Sequence, residues 1–362
     1  MRITLSMRLQ LQTILLLVTF GSMFTSQLAS AKTIAILPSE KIINIGSDVS
    51  YLVDDSENLS LQQFQSNEYQ SKLQPTEMDT PSFGFTSDTY WFQIELVHNG
   101  GQKLSRSLVV SYPLLDEITV YLVRNQGHVT TFETGDVKPF SQRPELHRHF
   151  TFPIEFQPRE ALTLIVKTKT TSSMQIPMEL WLPEKLHHDD KEALLAQGIY
   201  YGIMIIMVVY NFFIFLVVRS PGYLYYVLYV ASVAGFQAAL NGIGYQFLWP
   251  ESPWLQDVLI AGFIPMIIAT AAIFSMSLLQ TKSRIPRFHL YLTVIACIST
   301  ALLFFAPLIP YAIGIKLNIG LGFLGVIVLV TTGLASWKKG FEVAKYFSLA
   351  WFAFLCGAML II

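Results

Sequence analysis

The 362-residue chain has only two cysteines, Cys297 and Cys356, and both lie inside hydrophobic runs. The region ahead of those runs therefore has no disulfide framework and no cysteine metal site, and must rely on its own apolar core. Charge is scarce too. Asp, Glu, Lys and Arg make up 14% of the residues, against about a quarter in ordinary soluble domains. With a formal net charge of -1, the chain offers no electrostatic footprint for nucleic acid or an acidic substrate. Ionisable residues are nearly absent from the long apolar stretches beyond about residue 195, and no Asp, Glu or Arg sits in their interiors. That speaks against a proton relay, an ion pathway or a voltage sensor. Lys316, near one end of such a stretch, can snorkel outward.

The apolar residues are concentrated at the start of the chain and in its second half. Arg2 and Arg8 precede an apolar run over residues 9–20, and Ala29-Ser30-Ala31 follows. This predicts a signal peptide over residues 1–31, with the mature chain beginning at Lys32.

Residues 32–186 follow a period of two. Tyr90, Phe92, Ile94 and Leu96 alternate with Trp91, Gln93 and Glu95, and the pattern recurs along 118–122, 150–156, 162–166 and 174–180. Such alternation marks strands with one buried face. Asn99-Gly100-Gly101 and Asn125-Gln126-Gly127 supply turn chemistry. Pro153 and Pro177 fall on outward parity, so their strands are predicted to be edges or bulged. Seven or eight strands predict an all-β jelly-roll sandwich outside the cytoplasm. Trp91, Tyr121 and Trp181 also have outward parity, which makes them candidate ligand-stacking rings. His147 and His149 share a face and flank Arg148, a pair suited to a metal or an anion. No third ligand follows at the spacing of a zinc motif, so no metal or cofactor is assigned. His187-His188-Asp189-Asp190 falls in a charged juxtamembrane linker, 187–194, which reads as solvated. No catalytic signature emerges, and no enzyme is predicted.

Six spans are predicted near 195–218, 224–247, 258–279, 290–309, 313–337 and 341–362, forming a helical transmembrane bundle over 195–362. Arg219, then Lys282, Arg284 and Arg287, then Lys338, Lys339 and Lys345, mark the same side in alternate connections. The positive-inside rule makes that side cytoplasmic and leaves the sandwich on the periplasmic or extracellular face of a multi-pass bacterial inner-membrane protein. Trp249 and Trp254, with Pro250 and Pro253, read as interfacial anchors on the outer side. The intramembrane polar residues Asn211, Gln237 and Asn241 are predicted to hydrogen-bond between helices. No charged residue follows Lys345, and the chain stops at Ile362 in an apolar run. The sixth span is thus expected to end the chain, with any output domain absent.

The segment from Gly198 to Trp254 resembles the bacterial seven-transmembrane receptors with diverse intracellular signalling modules. The likeness rests on Tyr200-Tyr201-Gly202, Tyr210-Asn211, Tyr223 to Tyr226, Asn241-Gly242 and Leu248-Trp249-Pro250. Upstream, Tyr90-Trp91-Phe92, Tyr112-Pro113, Asp116-Glu117 and Arg143-Pro144 with His147-Arg148 resemble that family's second type of extracellular domain. The resemblance implies a jelly roll similar to carbohydrate-binding modules, seven helices and then a diguanylate cyclase, histidine kinase or similar module. This chain departs from it by stopping in the sixth helix. The reading is therefore a receptor sensor module for a small extracytoplasmic ligand, with a carbohydrate as the candidate, and Arg143, His147 and Arg148 join the three aromatic residues as candidate ligand contacts. Residues 183–192 are the predicted coupling segment. The expected partners are the lipid bilayer and, as a candidate, a second copy of the chain; nucleic acid is not expected. The alternative is a membrane-anchored binding or partner protein without its own output.

Overall fold

The computed structural model describes residues 33–359 other than 125 and 126. The predicted signal peptide, two residues of the second turn and the last residues of the sixth span lie outside the described residues. Among the described residues, thirteen strands form the first part: β1 (Thr33–Ala35), β2 (Ile42–Asn44), β3 (Ser50–Asp54), β4 (Gln74–Pro75), β5 (Ser82–Phe85), β6 (Thr89–Val97), β7 (Leu104–Val110), β8 (Glu117–Arg124), β9 (Val129–Thr134), β10 (Phe150–Phe156), β11 (Ala161–Lys169), β12 (Ser173–Gln175) and β13 (Met178–Trp181). One sheet runs β4-β3-β6-β11-β8-β9, with β1 added parallel to the far end of β6. The facing sheet runs β10-β7-β13-β2, and β12 pairs with β5 as a short ribbon. The chain passes between these two sheets from β1 to β2, β2 to β3, β6 to β7, β7 to β8, β9 to β10 and β10 to β11, in the jelly-roll manner.

The alternating residues close one core between the sheets. Phe92, Ile94 and Leu96 of β6 meet Phe150, Phe152 and Phe156 of β10 and Leu180 of β13, all at most 1% exposed. Each such side chain stabilises the sandwich by about 1.5–3 kcal/mol. Pro153 sits in β10, which pairs only with β7 and so is an edge, as its missing N–H requires. Pro177 instead lies between strands. It divides the predicted 174–180 run so that Met174 joins the β5 ribbon while Met178 and Leu180 join β7. Asn99-Gly100-Gly101 likewise turns the chain from one sheet to the other rather than closing a hairpin.

Two short helices, α1 (Leu61–Phe64) and α2 (Asn67–Gln70), cover part of the outer face of the larger sheet. A capping box starts α1: the Ser60 hydroxyl accepts from the Gln63 N–H, and the Gln63 side chain accepts from the Ser60 N–H.

The second part is helical: α3 (Pro183–Val218), α4 (Pro221–Leu240), α5 (Ile243–Phe247), α6 (Pro253–Leu278), α7 (Thr281–Arg284), α8 (Pro286–Phe305), α9 (Tyr311–Lys338) and α10 (Glu342–Met359). Among the described residues, five helices are long and apolar enough to cross a membrane; α10 covers the described part of the sixth predicted span. Three differences from the sequence reading matter. The linker 187–194 is not a separate element: it lies within α3, 36 continuous residues and about 54 Å long. The second span ends at Leu240, because Gly242 adopts a left-handed φ of 73° and turns the chain into α5. Among the described residues, no side-chain bond of Asn211 joins two helices. Its amide donates to the Met207 carbonyl of its own helix.

Arg219, the α7 segment and Lys338-Lys339 gather at the end of the bundle away from the sandwich. There Lys339 donates to the Arg284 carbonyl at 2.7 Å, and the Arg284 guanidinium lies 4.1 Å from the Phe341 ring centre.

Candidate functional site

The sandwich is docked on the bundle, chiefly through the loop between β9 and β10. Gly135 starts this loop with a φ of 157°, and a side chain there would overlap the Asp116 carbonyl. The Asp136 N–H donates to Leu115 O at 2.9 Å, which fixes the loop to the sandwich. The other end of the loop reaches the bundle. Phe140 N–H donates to Pro250 O at 2.8 Å, and the Ser141 hydroxyl donates to Glu251 at 3.2 Å. The Tyr245 hydroxyl of α5, on a side chain 1% exposed, donates to the Lys138 carbonyl at 2.5 Å. Its ring meets Phe140 edge-on, with centres 5.8 Å apart. Gly242 lets Arg148 approach, since a side chain there would press on the Arg148 carbonyl and Pro113. Leu114 closes the contact by packing with Ala239, Ile260, Ala261 and Ile315. Beneath it, Trp249 donates to Gln256 at 2.8 Å and Gln256 to the Ala239 carbonyl at 2.9 Å.

Arg143 is the charged centre of this contact. Its guanidinium carbon lies 4.4 Å from the Phe150 ring centre, 4.7 Å from Phe140 and 5.5 Å from Tyr245. One nitrogen donates to the His147 and Arg148 carbonyls at 2.9 and 2.8 Å, which holds the loop in shape. Burial pulls its pKa down to about 10, opposed by Tyr245 and Asp136. Asp136 is 3% exposed. Burial first, then Asp257 and Asp116, raise its carboxyl well above the usual range, against the pull of Arg143.

A second contact joins the sandwich to the first turns of α3. Asp190 Oδ1 lies 3.1 Å from His147 Nε2 and 3.2 Å from Arg148 Nη2. His147 Nδ1 accepts from the His149 N–H at 3.1 Å, which places the ring proton on Nε2, facing Asp190. His149 accepts from Arg148 at 3.2 Å, and burial together with His147, Arg148 and Arg143 depresses it to about 3. His188 and Asp189 point away from this contact. With Glu192 they bring ligand atoms within 4.8 Å of one another, on a helix face where His188 and Glu192 are exposed.

A polar cleft of about 320 Å³ opens on the outer face of the larger sheet. Thr89, Thr119, Tyr121 and Lys167 line it, between a Lys169–Glu57 ion pair at 2.5 Å and a Lys138–Glu133 pair at 3.4 Å. Glu117 also lines it and is exposed. Lys138 therefore lines the cleft with its side chain and accepts from the bundle with its carbonyl.

The candidate contacts from the sequence thus separate. Trp91 is corrected: it has outward parity but is 0% exposed, because α1 covers it. Phe64 stacks on it at 4.8 Å and Tyr121 at 6.0 Å, leaving no face for a ligand. Tyr121 remains half-buried and lines the cleft. Trp181 lies on the opposite sheet, donating to Glu179 at 2.9 Å, so it shares no site with Tyr121. Arg143, His147 and Arg148 come together, but at the docking contact rather than in the cleft. Gln237 is half-buried in α4, and Asn241 caps that helix beside the Tyr201 hydroxyl of α3. The sequence reading missed Lys138, Asp136, Tyr245 and Gln256. A polar residue in an apolar run could have flagged Gln256, whereas Lys138 carries no local signal.

Two family profiles match the chain. "7TM diverse intracellular signalling" matches residues 193–362 and "7TMR-DISM extracellular 2" matches 46–182. Only residues 1–45 and 183–192 fall outside them. No curated protein matches the chain. The matched order, a β domain and then a bundle of apolar helices, is the order of the folded parts described above. The chain therefore belongs to the seven-transmembrane receptors with diverse intracellular signalling, and carries the second type of extracellular domain of that family.

Proposed function

We propose that this chain is the sensing part of a receptor: a small polar ligand binds the cleft beside Tyr121, and its presence is passed to the bundle through the loop 135–143. The observation that carries this reading is Lys138, whose side chain is in the cleft and whose carbonyl accepts from Tyr245 of α5. A ligand that engages Glu133 or Lys138 alters the pairing of the segment on which the helices rest. It shifts the bundle only to the extent that it binds the two arrangements unequally. The second contact, Asp190 on continuous α3, gives a stiff route from the sandwich along the first span. A polyol such as a carbohydrate suits the lining of threonine hydroxyls, carboxylates and ammonium groups. The basic residues at the far end of the bundle support an extracytoplasmic sandwich on a bacterial inner membrane. An intracellular output module is the natural recipient.

The test uses the full chain in lipid nanodiscs, screened by thermal shift against a panel of mono- and oligosaccharides and amino acids. A stabilising compound is expected to lose its effect in Tyr121→Ala. In Tyr245→Phe it should still bind but no longer alter amide exchange in α5. Binding that survives Tyr121→Ala, or exchange changes that survive Tyr245→Phe, would refute the reading.

A further inference from the structure

A separate cleft of about 380 Å³ lies where the sandwich meets the start of α9, lined by Phe85, Thr86, Ser87, Asp88, Thr171, Ala312 and Lys316. Ala312 and Lys316 are one turn apart on the same helix face. Lys316 is five residues from the N-terminus of α9, about 7.5 Å along its axis, which is headgroup depth for a helix entering a bilayer at Tyr311. Its side chain is exposed, and its ammonium lies 5.8 Å from the Phe85 ring centre. It forms no ion pair with a described residue. Phe85 is itself 40% exposed, an aromatic ring where membrane proteins place their interfacial belt.

The other polar groups make the cleft two-sided. Thr86 donates to Asp88 at 2.7 Å and Thr171 donates to Asp116 at 2.8 Å, so neither hydroxyl proton is free. Lys316 and the exposed Ser87 hydroxyl remain as donors for an anion. Asp88, accepting only locally, remains as an acceptor for a cation. A cation and a carboxylate on facing walls, beside an apolar helix face at bilayer depth, match a zwitterion carrying acyl chains.

We propose that this cleft binds the headgroup of a phosphoethanolamine lipid from the leaflet next to the sandwich. The phosphate sits on Lys316 and Ser87, the ammonium on Asp88, the glycerol beside Phe85 and the chains along α9. The lipid then bridges the sandwich and the fifth long helix.

Native mass spectrometry of the delipidated full chain in detergent, titrated with dioleoyl phosphatidylethanolamine, tests this. One saturable lipid is expected. Its affinity should fall about tenfold in Lys316→Gln and be restored in Lys316→Arg, the loss expected for one charge-assisted contact. Asp88→Asn should lower the preference for phosphatidylethanolamine over phosphatidylglycerol by about the same factor. Dioleoylglycerol, which lacks the phosphate, should not compete. Inorganic phosphate or glycerophosphoethanolamine binding there without competition from the lipid would assign the cleft to a soluble anion and overturn the proposal. Equal lipid binding by wild type and Lys316→Gln would also overturn it. Should Lys316→Gln not fold, a benzophenone side chain in place of Phe85 must crosslink to phosphatidylethanolamine, and absence of that adduct refutes the proposal.

Discussion

Replacing Tyr245 with phenylalanine removes one oxygen and leaves the ring against Phe140, 5.8 Å away and edge-on, and against Arg143. The lost bond is the one donated to the Lys138 carbonyl at a residue 1% exposed. Its removal costs the net worth of a hydrogen bond and leaves a carbonyl with a poorer partner, together about 1–2 kcal/mol. That energy belongs to the docked state of the loop, since the sandwich core is untouched. The equilibrium constant for undocking should therefore rise about 5–30-fold. The Phe140 N–H reports on it directly, because its acceptor, Pro250 O, lies across the contact. In nanodiscs, hydrogen exchange at Phe140 should accelerate by that factor, while Phe92, in the β6–β11 ladder, should not change. Unaltered exchange at Phe140 would mean that the bond does not hold the domains together. Equal acceleration at Phe92 would mean that the substitution unfolds the sandwich, and the argument for a discrete latch would fail.

Two further outcomes follow from buried groups of the sandwich. Trp91→Ala empties a site enclosed by Phe64, Tyr121 and Ile165 and should cost about 3–5 kcal/mol, read as a lower melting temperature of the full chain; a shift within error would mean that α1 does not cover the ring in solution. His149 is held near 3 in the folded chain against 6.5 for a free side chain, and His147 is lowered as well. Unfolding therefore takes up protons, so stability should be full above about pH 6.5 and fall as pH drops towards 3, by at most about 1.4 kcal/mol per pH unit for each proton. His149→Phe should flatten that slope, and a melting profile rising with acidity would contradict the assigned burial.

The period-two runs of β6, β8, β10 and β11 placed their inward residues correctly because alternation depends only on the geometry of a strand. Prolines were read less well. Pro153 marks an edge as expected, but Pro177 ends one strand and precedes another, since which sheet each half joins is set by distant partners. The candidate site was the least legible part. Outward parity was right for Trp91, but its cover comes from residues 59–73, an excursion between β3 and β6 whose path no local pattern describes. Arg143, His147 and Arg148 are candidate ligand contacts from the sequence; that they grip carbonyls and Asp190 depends on the docked helix, which no local pattern describes.

Sequence alone determined that a β-rich domain precedes a set of apolar helices, because the hydrophobic period and the length of an apolar run are local quantities. Tertiary structure alone decided that α3 runs unbroken from β13 to Arg219, that Trp91 is core, and that Lys138 faces a cleft on one side and the bundle on the other. The last two depend on contacts between residues distant in sequence, Phe64 with Trp91 and Lys138 with Tyr245, whose pairing is selected by the packing of whole elements.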